Sequence, residues 1–159
     1  MDATLSLNTT KTAAPGSGTH APRDAHRPRP SIARVNTELV LIRGLPGSGK
    51  STMAKVLALV GYEHYEADMF FLRDGVYAFD PVRVRDAHAW CQAMTLSALM
   101  EGKRTVVSNT FTSLQELAPY QAMSRNVRIV EATGRWCGAH KVPASTLQWM
   151  AERWEVLGT

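Results

Sequence analysis

Glu38-Leu39-Val40-Leu41-Ile42, followed after Arg43 by Gly44-Leu45-Pro46-Gly47-Ser48-Gly49-Lys50-Ser51-Thr52, is the stretch that decides the fold. Its first part is a short continuous apolar run, the pattern of a strand buried on both faces of a parallel sheet. Its second part fits G-x-x-x-x-G-K-[ST] at every fixed position. Glycines at 44, 47 and 49 let the backbone take positive dihedrals and approach phosphate oxygens without a side-chain clash. The loop amides then converge on an anion, and a helix that follows adds its positive dipole end. Thr52 to Leu59 reads as that helix, ended near Gly61. An accidental glycine turn is the competing reading. It accounts for four fixed positions in about one chain of this length per hundred, and the strand–helix context lowers that further.

Working outward, Tyr62 to Ala67 reads as a second strand. Asp80-Pro81 makes a helix start, with Asp80 as cap and Pro81 at the first helical position, and the helix runs to about Glu101. Val84, Ala87, Cys91, Met94 and Ala98 fall on one of its faces at spacings of three and four. Gly102 stops it, and Thr105-Val106-Val107 forms a third strand. A helix over 113–124, a strand over 127–132 and a helix over 144–156 complete the pattern. Strands alternating with helices imply a parallel sheet with right-handed crossovers. The expectation is an α/β, three-layer P-loop fold with a short parallel sheet. In such a loop Lys50 neutralises the β- and γ-phosphates of a nucleoside triphosphate, and the Ser51 hydroxyl binds Mg²⁺. Residues 44–52 are therefore the candidate ATP site. ATP is favoured over GTP because the chain lacks the Asn-Lys-x-Asp string that reads guanine.

The first 36 residues differ in texture. They are rich in Thr, Ala, Ser, Pro and Gly without hydrophobic period, and bury too little apolar surface to offset their ordering entropy. We expect a disordered basic tail over 1–36 and a P-loop domain over 37–159. The net charge of +4 is concentrated there: the tail holds five basic residues against two acidic ones, and the remainder thirteen against twelve. A broad basic nucleic-acid face is therefore not expected on the domain. Around His26-Arg27-Pro28-Arg29-Pro30 the tail is stiff and basic, and reads as a solvated linker or an arm for nucleic acid or an acidic partner, while the acid-poor tail also fits an organelle transit peptide. No stretch approaches the roughly 20 apolar residues of a membrane span. Cys91 and Cys137 form no disulfide framework or metal-ligand spacing, so both read as packing residues in a cytoplasmic protein.

Asp68 follows the second strand, in Tyr65-Glu66-Ala67-Asp68-Met69-Phe70-Phe71. Carboxyl ends of strands face the ligand crevice in open parallel sheets. A carboxylate there can accept the proton of a hydroxyl attacking the γ-phosphate, or simply cap the next turn.

With these residues in view, the chain resembles the P-loop kinases related to the kinase domain of phage polynucleotide kinase and ATP-binding proteins with a small AAA-like domain. The resemblance covers roughly residues 39–157. It rests on residues 44–52, on Asp68 with the aromatics after it, on Ser108-Asn109-Thr110, and on a C-terminal signature. That signature is His140-Lys141-Val142-Pro143 with a helix that contains Met150 and ends Arg153-Trp154-Glu155. Tyr77-Ala78-Phe79-Asp80-Pro81 and His88-Ala89-Trp90 resemble the acceptor-side segment. The resemblance implies ATP- and Mg²⁺-dependent phosphoryl transfer to a hydroxyl, with Asp68 matching the general base.

Two departures stand out. Relatives often read Asp-Thr-Asn where this chain has Ser108-Asn109-Thr110. Ser108 can hydrogen-bond a water on Mg²⁺ but brings no charge, while Asn109 keeps the matching amide. The lid is also short: Arg135 is the sole arginine between Thr133 and Ala139, and inherits the lid role or is a surface arginine beside Trp136. His64 and Glu66 alternate along the second strand and need no metal. His88 reads as a core or rim residue before a lining residue of the acceptor site, and Trp149 and Trp154 as packing or a partner face. The acceptor implied is a nucleic-acid 5′ end or a nucleoside. A non-catalytic nucleotide-dependent switch and a kinase of sugar nucleotides are the alternative readings.

Overall fold

The structure, a computed structural model, describes residues 35–136 and 142–158, all within the unit Ile32–Thr159. Strand β1 (Leu39–Arg43) is buried along its whole length. The glycine loop leads into α1 (Lys50–Leu59), then β2 (Glu63–Tyr65) and a 3₁₀ turn over Ala67–Phe71. A short hairpin, β3 (Leu72–Arg73) and β4 (Val76–Tyr77), follows. The main crossover is α2 (Val84–Met100), which leads to β5 (Thr105–Ser108), α3 (Leu114–Gln121), β6 (Val127–Glu131) and α4 (Ala144–Glu152).

The main sheet is four-stranded and parallel throughout, in the order β2-β5-β1-β6. Alternation along β1 divides the core. Leu39 and Leu41 join Val107 under Ala87, Cys91 and Leu99 of α2 and Leu117 and Tyr120 of α3. Val40 and Ile42 join Val106 under Ala54 of α1 on the opposite face. This is the expected three-layer arrangement, with the β1–α1 and β5–α3 connections leaving for opposite faces. Such a switch point opens a crevice at the carboxyl ends of the strands.

Several boundaries differ from expectation, each for a physical reason. The second strand ends at Tyr65 instead of Ala67, because the Ala67 N–H donates to Asn109 Oδ1 at 2.9 Å and turns the chain into the 3₁₀ turn. The last helix ends at Glu152 instead of 156: Glu155 N–H donates to the Thr112 carbonyl at 2.8 Å, and its side chain accepts from Leu114 N–H at 2.6 Å. Helix 113–124 shortens to 114–121 and strand 127–132 to 127–131. Asp80 does cap, accepting from Val82 N–H at 3.0 Å, but the first turn after it is 3₁₀, and α-geometry starts at Val84. The hairpin was not foreseen. Its signal was the Asp74-Gly75 pair, both with positive φ (50° and 80°), as tight hairpin turns require.

The tail expectation falls, up to Arg34, outside the described residues, as do Cys137, His140 and Lys141. Val35 bridges Ser124, and the buried Ser124 hydroxyl lies 2.6 Å from the Thr37 carbonyl and 3.2 Å from that of Val35 while accepting from Asn126 N–H. Among the described residues no helix is long and apolar enough to cross a membrane. Losing a buried hydroxyl with these partners should cost about 1–3 kcal/mol. Ser124→Ala should therefore lower the melting temperature by several degrees, whereas removal of residues 1–34 should leave it nearly unchanged. Thermal unfolding followed by circular dichroism on both variants checks this.

Candidate nucleotide-binding site

The loop after β1 takes its shape from two glycines and one indole. Gly47 and Gly49 have φ of 79° and 93°, a region L side chains enter only at a steric cost. Gly49 is also the cap residue of α1. Around it there is no room for a side chain, since an added Cβ would lie 2.7 Å from Cζ3 of Trp136. Trp136 N–H donates to the Gly47 carbonyl at 2.9 Å, so the residue after Arg135 is fastened to the loop. Sequence reading passed over that contact. Ser48 is buried and its N–H closes a turn on the Leu45 carbonyl at 3.0 Å. The half-buried Lys50 ammonium donates to the same Leu45 carbonyl at 3.0 Å. Burial pushes the Lys50 pKa down, and the charges of Glu66 and Asp68 partly offset it.

Lys50 and Asp68 follow different strands, and the charge of Asp68 bears on Lys50 less than that of Glu66 does. Asp68 is exposed on the 3₁₀ turn, and its charge also raises the Tyr77 pKa, behind the larger effect of burial. Asn109, just after β5, holds that turn in place. Its carbonyl accepts from Ala67 N–H, and its amide donates to Cys91 Sγ at 3.7 Å. Cys91 is buried, and burial raises its thiol pKa, so it serves packing.

Glu66 is the residue sequence reading underrated. The Ser108 hydroxyl donates to its Oε1 at 2.5 Å and accepts from His64 Nε2 at 2.9 Å, which itself stands 3.0 Å from the carboxylate. Burial raises the Glu66 pKa, but hydrogen bonds from His64, Ser108 and Ser51 outweigh it and hold the carboxyl below the ordinary range. Glu66 is thus an ionised acid beside the hydroxyl that P-loop proteins turn toward Mg²⁺. Ser51 and Glu66 bring oxygen donors of the kind a hard divalent cation takes, with Ser108 bracing the carboxylate, so these residues are compatible with Mg²⁺.

Beside the loop lies a cavity of about 720 Å³, lined by Leu45, Pro46, Arg135, Trp136, Leu147 and Trp154 among others. Arg135 is exposed on its wall. Thr52, the last residue of the motif, is exposed in the first turn of α1. His88 is exposed and lines a separate cavity of about 310 Å³ with Phe111, Tyr120 and Arg153. Trp154 packs on Arg43, whose guanidinium carbon lies 3.9 Å from the ring centroid. Around Asp68, Phe70 and Phe71 meet edge to face, Phe71 contacts Tyr77 and Phe79, and Phe70 contacts Trp90.

Comparison with known proteins agrees with this geometry. The AAA domain family matches residues 39–147. Human NEDD4-binding protein 2 is 34% identical over 100 residues, which is 61% of this chain but only 6% of that protein's length. Among solved structures, a sugar kinase from Janibacter sp. HTCC2649 superposes with a TM-score of 0.59 at 22% identity, covering 77% of this chain and 80% of its own. A chain of the Pnkp1/Rnl/Hen1 RNA repair complex gives 0.54 at 17% identity, covering 78% and 48%. A gluconokinase from Sinorhizobium meliloti 1021 gives 0.52 at 20% identity, covering 77% of each chain. At these identities the likeness establishes a P-loop kinase fold.

Lys50 makes only one hydrogen bond within the loop and fills no core position. Lys50→Ala should therefore keep the melting temperature within a few degrees while weakening ATP binding by about 10–100-fold, the worth of charge-assisted hydrogen bonds. Calorimetric titration of the folded variant checks this, and unchanged affinity would remove the loop from nucleotide binding.

Proposed function

The chain belongs to the AAA domain family, and from that membership we propose that it is an ATP-dependent phosphotransferase acting on a hydroxyl. The observation that carries the reading is the glycine-framed loop, with Gly47 and Gly49 at positive φ ahead of Lys50 at the start of α1, together with an aspartate, Asp68, on the turn after β2. Lys50 and the first-turn amides of α1, which no intrahelical carbonyl can serve, bind the β- and γ-phosphates. Ser51 lies where Mg²⁺ would be held; when bound, the ion supplies charge neutralisation of the phosphates. Asp68 accepts the proton of the acceptor hydroxyl as the new oxygen–phosphorus bond forms. The bond between the γ-phosphorus and the bridging oxygen breaks, and its electron pair leaves with ADP. Arg135 is assigned the stabilisation of charge developing on the transferred group.

The acceptor class is read from the surroundings of Asp68. Phe79 is 55% exposed, Tyr77 and Trp90 stand in the same aromatic group, and the Arg83 guanidinium lies 4.6 Å over Phe70. Flat rings beside a proton acceptor, with a cation near, favour a nucleoside or nucleic-acid 5′ end, since bases stack on aromatic faces.

Incubation with labelled ATP, Mg²⁺ and a panel of 5′-hydroxyl oligonucleotides, nucleosides and sugar nucleotides tests the reading. Binding without transfer to any acceptor would instead support a nucleotide-dependent switch. With an acceptor in hand, Asp68→Asn should leave ATP affinity within a few-fold, because the loop is untouched. Single-turnover transfer should fall by about 10²–10⁴-fold, as expected for loss of a general base. Equal rates in wild type and variant would reduce Asp68 to a turn residue.

A further inference from the structure

We propose that Glu66 supplies the acidic charge of the metal subsite, from the end of β2, with Ser108 acting as its hydrogen-bonding brace. The inference rests on the ATP-binding reading above and goes beyond it in assigning a residue. Three observations converge on it. Glu66 is an acid whose carboxylate the Ser51 hydroxyl helps to stabilise. It is also one of two acids whose charge bears on Lys50, and the half-buried one of the pair. Finally, it is clamped from the β5 side: Ser108 donates to the carboxylate oxygen that also faces His64 Nε2. Ser108 is itself 3% exposed, so the brace cannot swing into solvent.

The register explains why this works. Parallel pairing aligns His64 with Val106 and Tyr65 with Val107, which puts residue 66 level with 108. Ser108 in turn pairs with Ile42 of β1, next to the start of the glycine loop. A carboxylate at either 66 or 108 therefore occupies the same part of the crevice, and this chain places it at 66. Among the described residues no group of three or more His, Cys, Asp or Glu side chains could hold a metal. A cation here would complete its shell with phosphate oxygens and water, as Mg²⁺ ordinarily does with one or two carboxylates.

A purely structural role, Glu66 as a lock between β2 and β5, makes a different prediction, which calorimetry separates. The probe is a non-hydrolysable β,γ-imido analogue of ATP, titrated with Mg²⁺ and again with EDTA. In wild type, Mg²⁺ should tighten binding. In Glu66→Gln that tightening should shrink by about 10–100-fold, the usual cost of removing an outer-shell partner of a metal. Metal-free affinity should hold or improve, because a like charge beside the triphosphate is gone. Glu66→Gln/Ser108→Asp, which moves the carboxylate across to β5, should recover most of the Mg²⁺-linked gain.

If Glu66→Gln does not fold, Ser108→Asp alone serves. It should deepen the Mg²⁺-linked gain and weaken metal-free binding. The inference is overturned by an undiminished gain in folded Glu66→Gln, by equal weakening with and without Mg²⁺, or by an unaltered gain in Ser108→Asp. A wild type that binds no analogue would overturn the ATP reading and this inference together. Mg²⁺-linked binding that ignores Glu66 would overturn this inference alone.

Discussion

A guanidinium with no exposed surface, that of Arg43 at the last position of β1, governs the carboxyl edge of this fold. Removing a cation from water costs several kcal/mol unless its surroundings compensate, and burial accordingly lowers the Arg43 pKa against the pull of Glu131, Glu116 and Glu155. Compensation comes from two segments remote in sequence. The Glu155 carbonyl accepts from Nη2 at 2.8 Å, the Thr112 carbonyl accepts at 3.4 Å, and the Trp154 ring covers the face. Cation–π contacts of desolvated pairs are worth about 2 kcal/mol. One side chain next to Gly44 thus gathers the β5–α3 connection and the end of α4 around the glycine loop. The same need stops α4 early, because the backbone of Glu155 serves Thr112 and Arg43 instead of extending a helix.

On the other side of β1 the corresponding fastener is Asn109. It is buried after β5 and bonds Ala67 with its carbonyl and Cys91 with its amide. Its consequence is positional. By ending β2 at Tyr65, it turns Glu66 toward Ser51 and starts the 3₁₀ turn that carries Asp68. Both acids near Lys50 therefore owe their places to a neutral amide that touches neither phosphate nor acceptor. The aromatic residues that follow pack on α2 through Phe70 and Trp90, so the proposed acceptor side is tied to the same core as the sheet.

Local patterns made the central part of the chain legible in sequence. The apolar run of β1, the spacing of 44–52 and the cap at Asp80 each depend on residues within a few positions, and each was read from them. What escaped depends on pairs far apart. Ala67 and Asn109 are separated by 42 positions, Arg43 and Glu155 by 112, and nothing in either neighbourhood announces the other. Glu66 was passed over because its alternation with His64 along the expected strand 62–67 says only that two side chains share a face. Its partner, Ser108, emerges once β5 is known to lie between β2 and β1. Parallel order alone could have put residues 66 and 108 side by side. Trp136 had no such signal, because its contact with Gly47 and Gly49 is made by a connection without regular structure. Arg135 was singled out for its charge, and its neighbour proved to be the residue attached to the loop.

The two acids facing Lys50 differ in ways that divide the work proposed for them. Glu66 is half-buried and is met by Ser108 at 2.5 Å and by His64 at 3.0 Å, so its charge is fixed in place. Asp68 lies on the exposed side of a short turn, where a proton taken from an acceptor can pass on to water. A triphosphate entering the cradle meets one lysine and two carboxylates, an arrangement that repels it unless more positive charge arrives. In the proposed reading, a divalent cation held by Glu66 would answer that repulsion and leave Asp68 to the acceptor. If both carboxylates lay at the same depth, one cation would draw on both and no proton acceptor would remain. The difference in burial, set by where Asn109 stops β2, is what separates the fixed negative charge of Glu66 from the proposed base two residues on.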